Sequence, residues 1–128
     1  MKKLVASLML VVIALLIQIN VNAQNSTSLF RHVVIITFKH EAHADSIKAL
    51  DEVYIGLSKN SMVKDFEVGV SVSGRDTGVV KHIYVTSFAS KEDLDSYKKI
   101  PEYSKLFKLS LPVSEEVTVA DYWAKKSL

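Results

Sequence analysis

The sequence predicts an α+β domain with the element order β-α-β-β-α-β, and three observations support this class. Four segments of the 128-residue chain alternate apolar and polar side chains with the two-residue period of strands. Segments with helical spacing separate the first strand from the second, and the third from the fourth. No repeat or interdomain linker interrupts this order, so we expect one domain at residues 30–123, with flexible tails at 24–29 and 124–128.

The first predicted strand, at residues 30–38, carries apolar side chains on both faces. Five residues share one face: Phe30, His32, Val34, Ile36 and Phe38. The opposite face carries Val33 and Ile35. We therefore expect both faces of this strand to be at least partly buried.

The first helix and the second strand follow. Apolar side chains recur every three or four positions over residues 44–59, which predicts a helix that Asp45 or Ser46 caps at its start. Strict alternation over residues 66–73 predicts the second strand. A turn-rich segment at 73–78 connects it to the third strand.

The second half of the domain contributes a strand, two short helices and a final strand. Alternation predicts strands at 79–88 and 117–123. A Ser-x-x-acid capping box at 90–93 begins a helix that ends near Tyr97, and a second short helix is predicted at 102–111. The order is that of a ferredoxin-like protomer, with a four-stranded antiparallel sheet and its helices on one face.

One face of such a sheet is left uncovered by helices. Because the first and third strands are apolar on both faces, we do not expect the uncovered face to meet water. The same face of a second copy is the simplest cover. The sequence therefore predicts a homodimer through the open sheet face, that is, a dimeric α/β barrel.

The first 23 residues have the three parts of a secretory signal peptide. Lys2 and Lys3 form a positive start, residues 4–19 are apolar, and small residues before Gln24 fit a cleavage site. The apolar run is shorter than the roughly 20 residues that a membrane-spanning helix needs. We therefore predict an exported protein, periplasmic or secreted, with no membrane contact after cleavage, and an uncleaved anchor is the alternative.

Charge and composition exclude several classes of function. The chain has 16 basic and 14 acidic residues, and removing Lys2 and Lys3 leaves the predicted mature chain with no net charge, so we expect no nucleic-acid partner. Cys is absent, which excludes disulfides and thiolate metal sites. His40 and His43 lack a third ligand at suitable spacing, so we also predict no metal site.

The candidate site residues are histidines and tyrosines predicted to face the helix-covered side. His32 and His82 lie within otherwise apolar strands that this topology makes adjacent, so we expect their rings to lie close together in one cavity. Tyrosines of the helices are expected to face the same space, which suits a small apolar or aromatic ligand. The predicted ligand-binding residues are His32, Val34, Ile36, Tyr54, His82, Tyr84, Tyr97 and Tyr103, and the candidate catalytic residues are His32, His82 and Tyr97. Ordinary hydrogen-bonded core histidines and amphipathic rim tyrosines are the alternative interpretation.

Several short strings, in this order and spacing, resemble the stress-responsive dimeric α/β-barrel (Dabb) family. They are His-Val-Val-Ile-Ile-Thr-Phe-Lys at 32–39, Lys-His-Ile at 81–83, Tyr97 followed by Pro-Glu-Tyr at 101–103, and Ala-Asp-Tyr at 120–122. The resemblance implies a ferredoxin-like protomer, a homodimer and no cofactor. It also implies that His32, Tyr54, His82 and Tyr97 match polar residues of the pocket in a plant member that cyclises polyketides.

The cyclase carries its catalytic base in a His-Pro-x-His string, which reads Ile-Pro-Glu-Tyr at residues 100–103 here. Tyr103 therefore stands where the base would be, and a tyrosine with an ordinary pKa of about 10 is a poor base near neutral pH. We therefore favour an exported, non-catalytic protein that binds a small molecule. The alternatives are a cofactor-independent enzyme, cyclase-like or monooxygenase-like, that uses His32 or His82 with Tyr97, and a structural dimer without a ligand.

Overall fold

A computed structural model describes residues 28–72 and 78–125, so the predicted signal peptide, most of the N-terminal tail and part of the 73–78 connector lie outside the described residues. The elements are β1 (Phe30–Phe38), α1 (Ala44–Leu57), β2 (Val63–Val70), β3 (Lys81–Phe88), α2 (Lys91–Tyr97), α3 (Tyr103–Ser110) and β4 (Ser114–Trp123). No helix within the two described ranges is long and apolar enough to cross a membrane.

The four strands form one antiparallel sheet in the order β2-β3-β1-β4, which confirms the predicted ferredoxin-like architecture. The central strand β1 pairs with β3 on one side and with β4 on the other. In this register His32 lies opposite Asp121 of β4, whereas His82 of β3 lies opposite Ile36. The sheet register therefore sends the two histidines to different parts of the helix-covered face.

The helices cover the face of the sheet that carries the core. The strand burial pattern of β1 alternates strictly between buried and half-buried residues, as the two-residue period predicts. The buried apolar residues are Phe30, Val34, Ile36, Phe38, Leu50, Tyr54, Leu57, Tyr84, Phe88, Leu94, Tyr97, Leu106 and Val113. Leu50, Tyr54 and Leu57 form the buried stripe of α1, at the spacing that places side chains on one helix face.

Three local predictions were wrong. The second strand, predicted at 66–73, spans Val63–Val70. The N-cap position of α1 is His43 rather than Asp45 or Ser46, and its side chain forms no capping hydrogen bond with the residues described here. Asp45 instead lies in the first turn, where a negative charge favours the helix dipole. The last strand begins at Ser114, three residues before its predicted start, because β4 continues to pair with β1 past a register shift at Phe38.

The Ser90 half of the predicted capping box is present before α2. Ser90 is the N-cap residue, and its side-chain Oγ accepts a hydrogen bond from the backbone N–H of Asp93 over 3.1 Å. This bond satisfies one of the backbone donors that every helix leaves unpaired in its first turn.

We expect Ser90→Ala to lower the free energy of unfolding by about 1 kcal/mol, because the Asp93 N–H then loses its acceptor. Urea unfolding followed by circular dichroism measures the change. Ser104→Ala, which removes an exposed side-chain bond to the Pro101 carbonyl, is the matched control and should change stability by less than about 0.5 kcal/mol. Equal unfolding midpoints for Ser90→Ala and the wild type would exclude the cap as a source of stability.

The opposite face of the sheet carries a central apolar patch that none of the described helices covers. Val33 and Ile35 of β1 lie opposite Val85 and Ile83 of β3, and all four are only half-buried. We call these four residues the open-face patch. Its presence agrees with the prediction that both faces of β1 and β3 are apolar.

Candidate functional site

A cavity of about 450 Å³ lies on the helix-covered side, between the β1–β4 half of the sheet and the helices α1 and α3. The sheet contributes His32, Val34, Ile36, Ser114, Glu115, Glu116, Val117 and Val119 to the wall, and the helices and their connections contribute Tyr54, Lys98, Tyr103, Leu106, Phe107, Ser110 and Leu111. We call this cavity the β1–β4 pocket. Its position follows from the sheet register, because the helix-facing residues of β1 and β4 lie opposite each other.

A histidine–carboxylate pair lies beside the β1–β4 pocket. The Nδ1 atom of His32 lies 2.6 Å from Oδ1 of Asp121, and the two residues are cross-strand partners. His32 is 4% exposed, whereas the Asp121 carboxylate is partly exposed and its Oδ2 lies 4.0 Å from Nζ of Lys98. The sheet register therefore places a charged acceptor against one nitrogen of a buried ring.

Burial determines the protonation state of His32. Burial lowers the pKa of His32 below its ordinary value, and this effect exceeds the opposing hydrogen bond and charge of Asp121. The ring is therefore neutral near pH 7. Since a carboxylate only accepts, the Nδ1 atom carries the proton, and Nε2 of the neutral ring is an acceptor with a free lone pair.

Three tyrosines extend from the helices toward the same region. Tyr54 and Tyr103 line the β1–β4 pocket, and the ring of Tyr97 packs edge-on against Tyr103 with the centroids 5.4 Å apart. Burial raises the pKa of all three phenols above its usual range, and the neighbouring phenols raise the pKa of Tyr54 and Tyr97 further. The three hydroxyls are therefore protonated at neutral pH and available as hydrogen-bond donors.

A second histidine–carboxylate cluster lies outside the β1–β4 pocket, between α1 and β3. Oδ1 of Asp51 accepts a hydrogen bond from the Tyr84 hydroxyl at 2.6 Å and lies 2.9 Å from Nδ1 of His82. The ring of Tyr84 is stacked on that of Tyr54, with the centroids 3.8 Å apart and the planes 13° apart. The second cluster therefore adjoins the pocket through the ring of Tyr54, which lines it.

The structure separates the predicted site residues into two groups. His32, Val34, Ile36, Tyr54 and Tyr103 line the β1–β4 pocket. His82, Tyr84 and Tyr97 lie behind that wall, in contact with other aromatic rings.

The prediction that His32 and His82 lie close together in one cavity was wrong. The two side chains share a sheet face, but the register places His82 opposite Ile36, which is four residues along β1 from His32. That offset corresponds to about 13 Å along the strand.

Two carboxylates that organise these clusters were not among the predicted site residues. Asp121 lies on a strand whose other helix-facing members are Val117, Val119 and Trp123, so alternation along β4 carries a signal for it. Asp51 lies three residues before Tyr54, on the adjoining turn of α1. In a single sequence both residues read as solvated polar positions.

The carboxylates and histidines do not assemble a metal site. Over residues 28–72 and 78–125, no three His, Asp or Glu side chains converge on a point that could hold a metal ion. His32 and His82 instead each face one carboxylate, which is the arrangement of a hydrogen-bonded pair.

Comparison with known proteins identifies the family. The profile of the stress responsive A/B barrel domain, Dabb, matches residues 30–124, nearly all of the described chain. This chain belongs to the Dabb family. The match confirms the resemblance that the short strings at 32–39 and 120–122 indicate. No curated protein matches this Dabb chain in sequence.

Solved structures share the fold of this Dabb chain. A hydroxynitrile lyase from Passiflora edulis has a TM-score of 0.69 at 20% identity, over 80% of this chain and 98% of the lyase. An Arabidopsis thaliana protein has a TM-score of 0.65 at 27% identity, over 77% of this chain and 97% of its own. A dimeric ferredoxin-like protein of unknown function from Thermobifida fusca has a TM-score of 0.65 at 12% identity, over 77% of this chain and 93% of its own.

The lowered pKa of His32 predicts that stability falls in mild acid. The folded Dabb domain binds the His32 proton more weakly than the unfolded chain does, so acidification below the ordinary pKa of 6.5 favours unfolding. We expect His32→Gln to reduce this loss, since an amide can still bond to Asp121 but does not titrate. Urea unfolding at pH 7.5 and pH 5.5 measures the loss of unfolding free energy, and His40→Gln, at an exposed position, is the control. An unchanged pH dependence in His32→Gln would show that His32 is not the titrating group.

Proposed function

We propose that this protein binds a small, neutral, largely apolar molecule that carries one hydroxyl or carbonyl group, in the β1–β4 pocket. The observation that carries the proposal is the buried, neutral His32, which lines this apolar cavity with Nδ1 bonded to Asp121. Its second nitrogen, Nε2, is an acceptor for a ligand hydroxyl. The Tyr54 and Tyr103 phenols are the corresponding donors for a ligand oxygen.

Charge at the cavity favours a neutral ligand over an anion. Three acidic side chains are near the cavity: Asp121 lies beside His32, and Glu115 and Glu116 lie on the exposed rim. Lys98 is the cation on the wall, and its charge is already near Asp121. A ligand carboxylate would meet this excess of negative charge. The remaining rim is apolar, because the exposed side chains of Phe107, Leu111, Val117 and Val119 surround the opening. An aromatic or alkyl body fits such a rim.

Naphthalene and two of its derivatives, which are of nearly equal size, test this proposal. We expect fluorescence titrations to rank 2-naphthol above naphthalene by about fivefold, since a net hydrogen bond contributes about 1 kcal/mol. We expect 2-naphthoate to bind more weakly than naphthalene because of its charge. Tightest binding by 2-naphthoate would contradict the proposed electrostatics, and failure of all three compounds to saturate would contradict the proposed function.

We propose also that the protein is a homodimer through the open-face patch. Val33, Ile35, Ile83 and Val85 form an apolar centre that a second copy would bury. The neighbour from Thermobifida fusca is described as dimeric.

A second candidate function is proton transfer at carbon, and the 2.6 Å contact between His32 and Asp121 favours it. Nε2 would take a proton from the carbon next to a ligand carbonyl. The C–H electron pair would form the C=C bond of an enolate, and the C=O π pair would move to the carbonyl oxygen. A tyrosine hydroxyl would donate a hydrogen bond to that oxygen. Deuterium incorporation into acetophenone in D₂O, followed by NMR, should exceed the buffer rate with the wild type but not with His32→Gln. Equal rates with both proteins would exclude this function.

We propose finally that the protein is exported. The support is sequence: two lysines precede the apolar segment at 4–19, and small residues precede Gln24. Intact-mass analysis of the protein recovered from its native cells should show the loss of residues 1–23. A mass that corresponds to the whole chain would contradict cleavage.

A further inference from the structure

The Asp51 cluster is a built polar network that the pocket chemistry does not use. Oδ1 of Asp51 accepts a hydrogen bond from the Tyr84 hydroxyl at 2.6 Å and lies 2.9 Å from Nδ1 of His82, so both side chains contact the same oxygen. Tyr84 has no exposed surface, and His82 is 9% exposed. Such a network is costly to bury unless its members are paired, and here they pair with one another.

The network contacts the wall of the β1–β4 pocket at Tyr54. Tyr54 lies one turn after Asp51 on α1 and lines the pocket. Its ring is stacked at 3.8 Å on Tyr84, whose hydroxyl is held by Asp51. Helix α1 is therefore attached to β3 at two successive positions, by a charge-assisted hydrogen bond and by a stacked ring pair.

We infer that Asp51 is a positioning residue: through Tyr84 it fixes the ring of Tyr54 and so the direction in which the Tyr54 hydroxyl enters the pocket. This inference rests on the proposed function only in its second part, the effect on a ligand. Its first part, the orientation of Tyr54, concerns the free protein. His82 is the second donor side chain of the same network and helps to hold the Asp51 carboxylate in place.

The orientation of Tyr54 is tested by NMR of the tyrosine rings in the ligand-free protein. The stacked Tyr84 ring should shift the Tyr54 ring protons upfield in the wild type. We expect Asp51→Ala to remove most of this shift, and Asp51→Asn to retain it because the amide oxygen still accepts from Tyr84. Asp95→Ala, which removes an exposed bond to Lys91, is the matched control and should leave the shift unchanged.

If Asp51→Ala does not fold, Tyr84→Phe removes the same hydrogen bond while keeping the ring. An unchanged Tyr54 shift in the folded variant would overturn the inference.

The effect on binding is tested by the ratio of the naphthalene and 2-naphthol dissociation constants, since loss of general stability does not by itself change this ratio. We expect Asp51→Ala to lower this ratio about threefold, toward the ratio for Tyr54→Phe. In a protein that already carries Tyr54→Phe, Asp51→Ala should not change the ratio further. An unchanged ratio in Asp51→Ala would overturn the positioning role. If the wild type binds neither compound, the proposed function fails, while the NMR measurement still decides whether Asp51 orients Tyr54.

Discussion

Ile83→Glu is expected to convert the protein from a dimer into a monomer. Ile83 lies on β3 near the centre of the uncovered sheet face, opposite Ile35 on one side and Gly69 on the other. In a two-fold dimer the substitution would bury two unpaired carboxylates, each at a cost of several kcal/mol. We expect the dissociation constant of the dimer to rise at least a hundredfold, as measured by sedimentation equilibrium.

The matched control is Ile55→Glu, the same change at an exposed position of α1. This variant should remain a dimer with the wild-type dissociation constant. A wild type that is monomeric at micromolar concentration would contradict the proposed dimer. If the Ile83→Glu variant remains a dimer, the interface lies away from the open-face patch.

Val117→Trp is expected to weaken the binding of 2-naphthol at least tenfold. Val117 lies on β4, is 49% exposed and lines the β1–β4 pocket, so an indole at this position occupies the space of the ligand without overfilling the core. Its matched control is Val70→Trp, on the other edge strand and the same sheet face. Isothermal titration of both variants measures the effect. Equal weakening by the two substitutions would mean that 2-naphthol binds elsewhere.

The fold could be predicted from the sequence because its determinants are local. The two-residue alternation at 30–38 defines β1, and the Ser90 capping box defines the start of α2. The start of β4 was predicted three residues late because pairing past a register shift depends on the partner strand, which periodicity along one strand does not report.

The candidate site could be predicted only in part. Alternation along β1 placed His32, and helical spacing along α1 placed Tyr54, on the correct sides of their elements. Alternation also gave the correct face for His82, but not its neighbours, which depend on the register of β3 against β1.

The two organising carboxylates show a second limit. Asp51 and Asp121 each find a histidine from another element, and the sequence separations are 31 and 89 residues. Alternation along β4 indicates the face on which Asp121 lies, but which histidine each carboxylate meets depends on tertiary structure. For this reason the chemistry of the site follows from the register of the sheet rather than from any short motif.

The central claim is that the His32–Asp121 pair presents a free acceptor nitrogen to a ligand in the β1–β4 pocket. Nitrogen-15 NMR of the histidine rings at pH 7.5, with and without 2-naphthol, tests it most directly. We expect a neutral His32 ring with the proton on Nδ1, and an Nε2 signal that moves when 2-naphthol is added. A proton on Nε2 in the free protein, or an Nε2 signal that does not move while 2-naphthol binds, would contradict it.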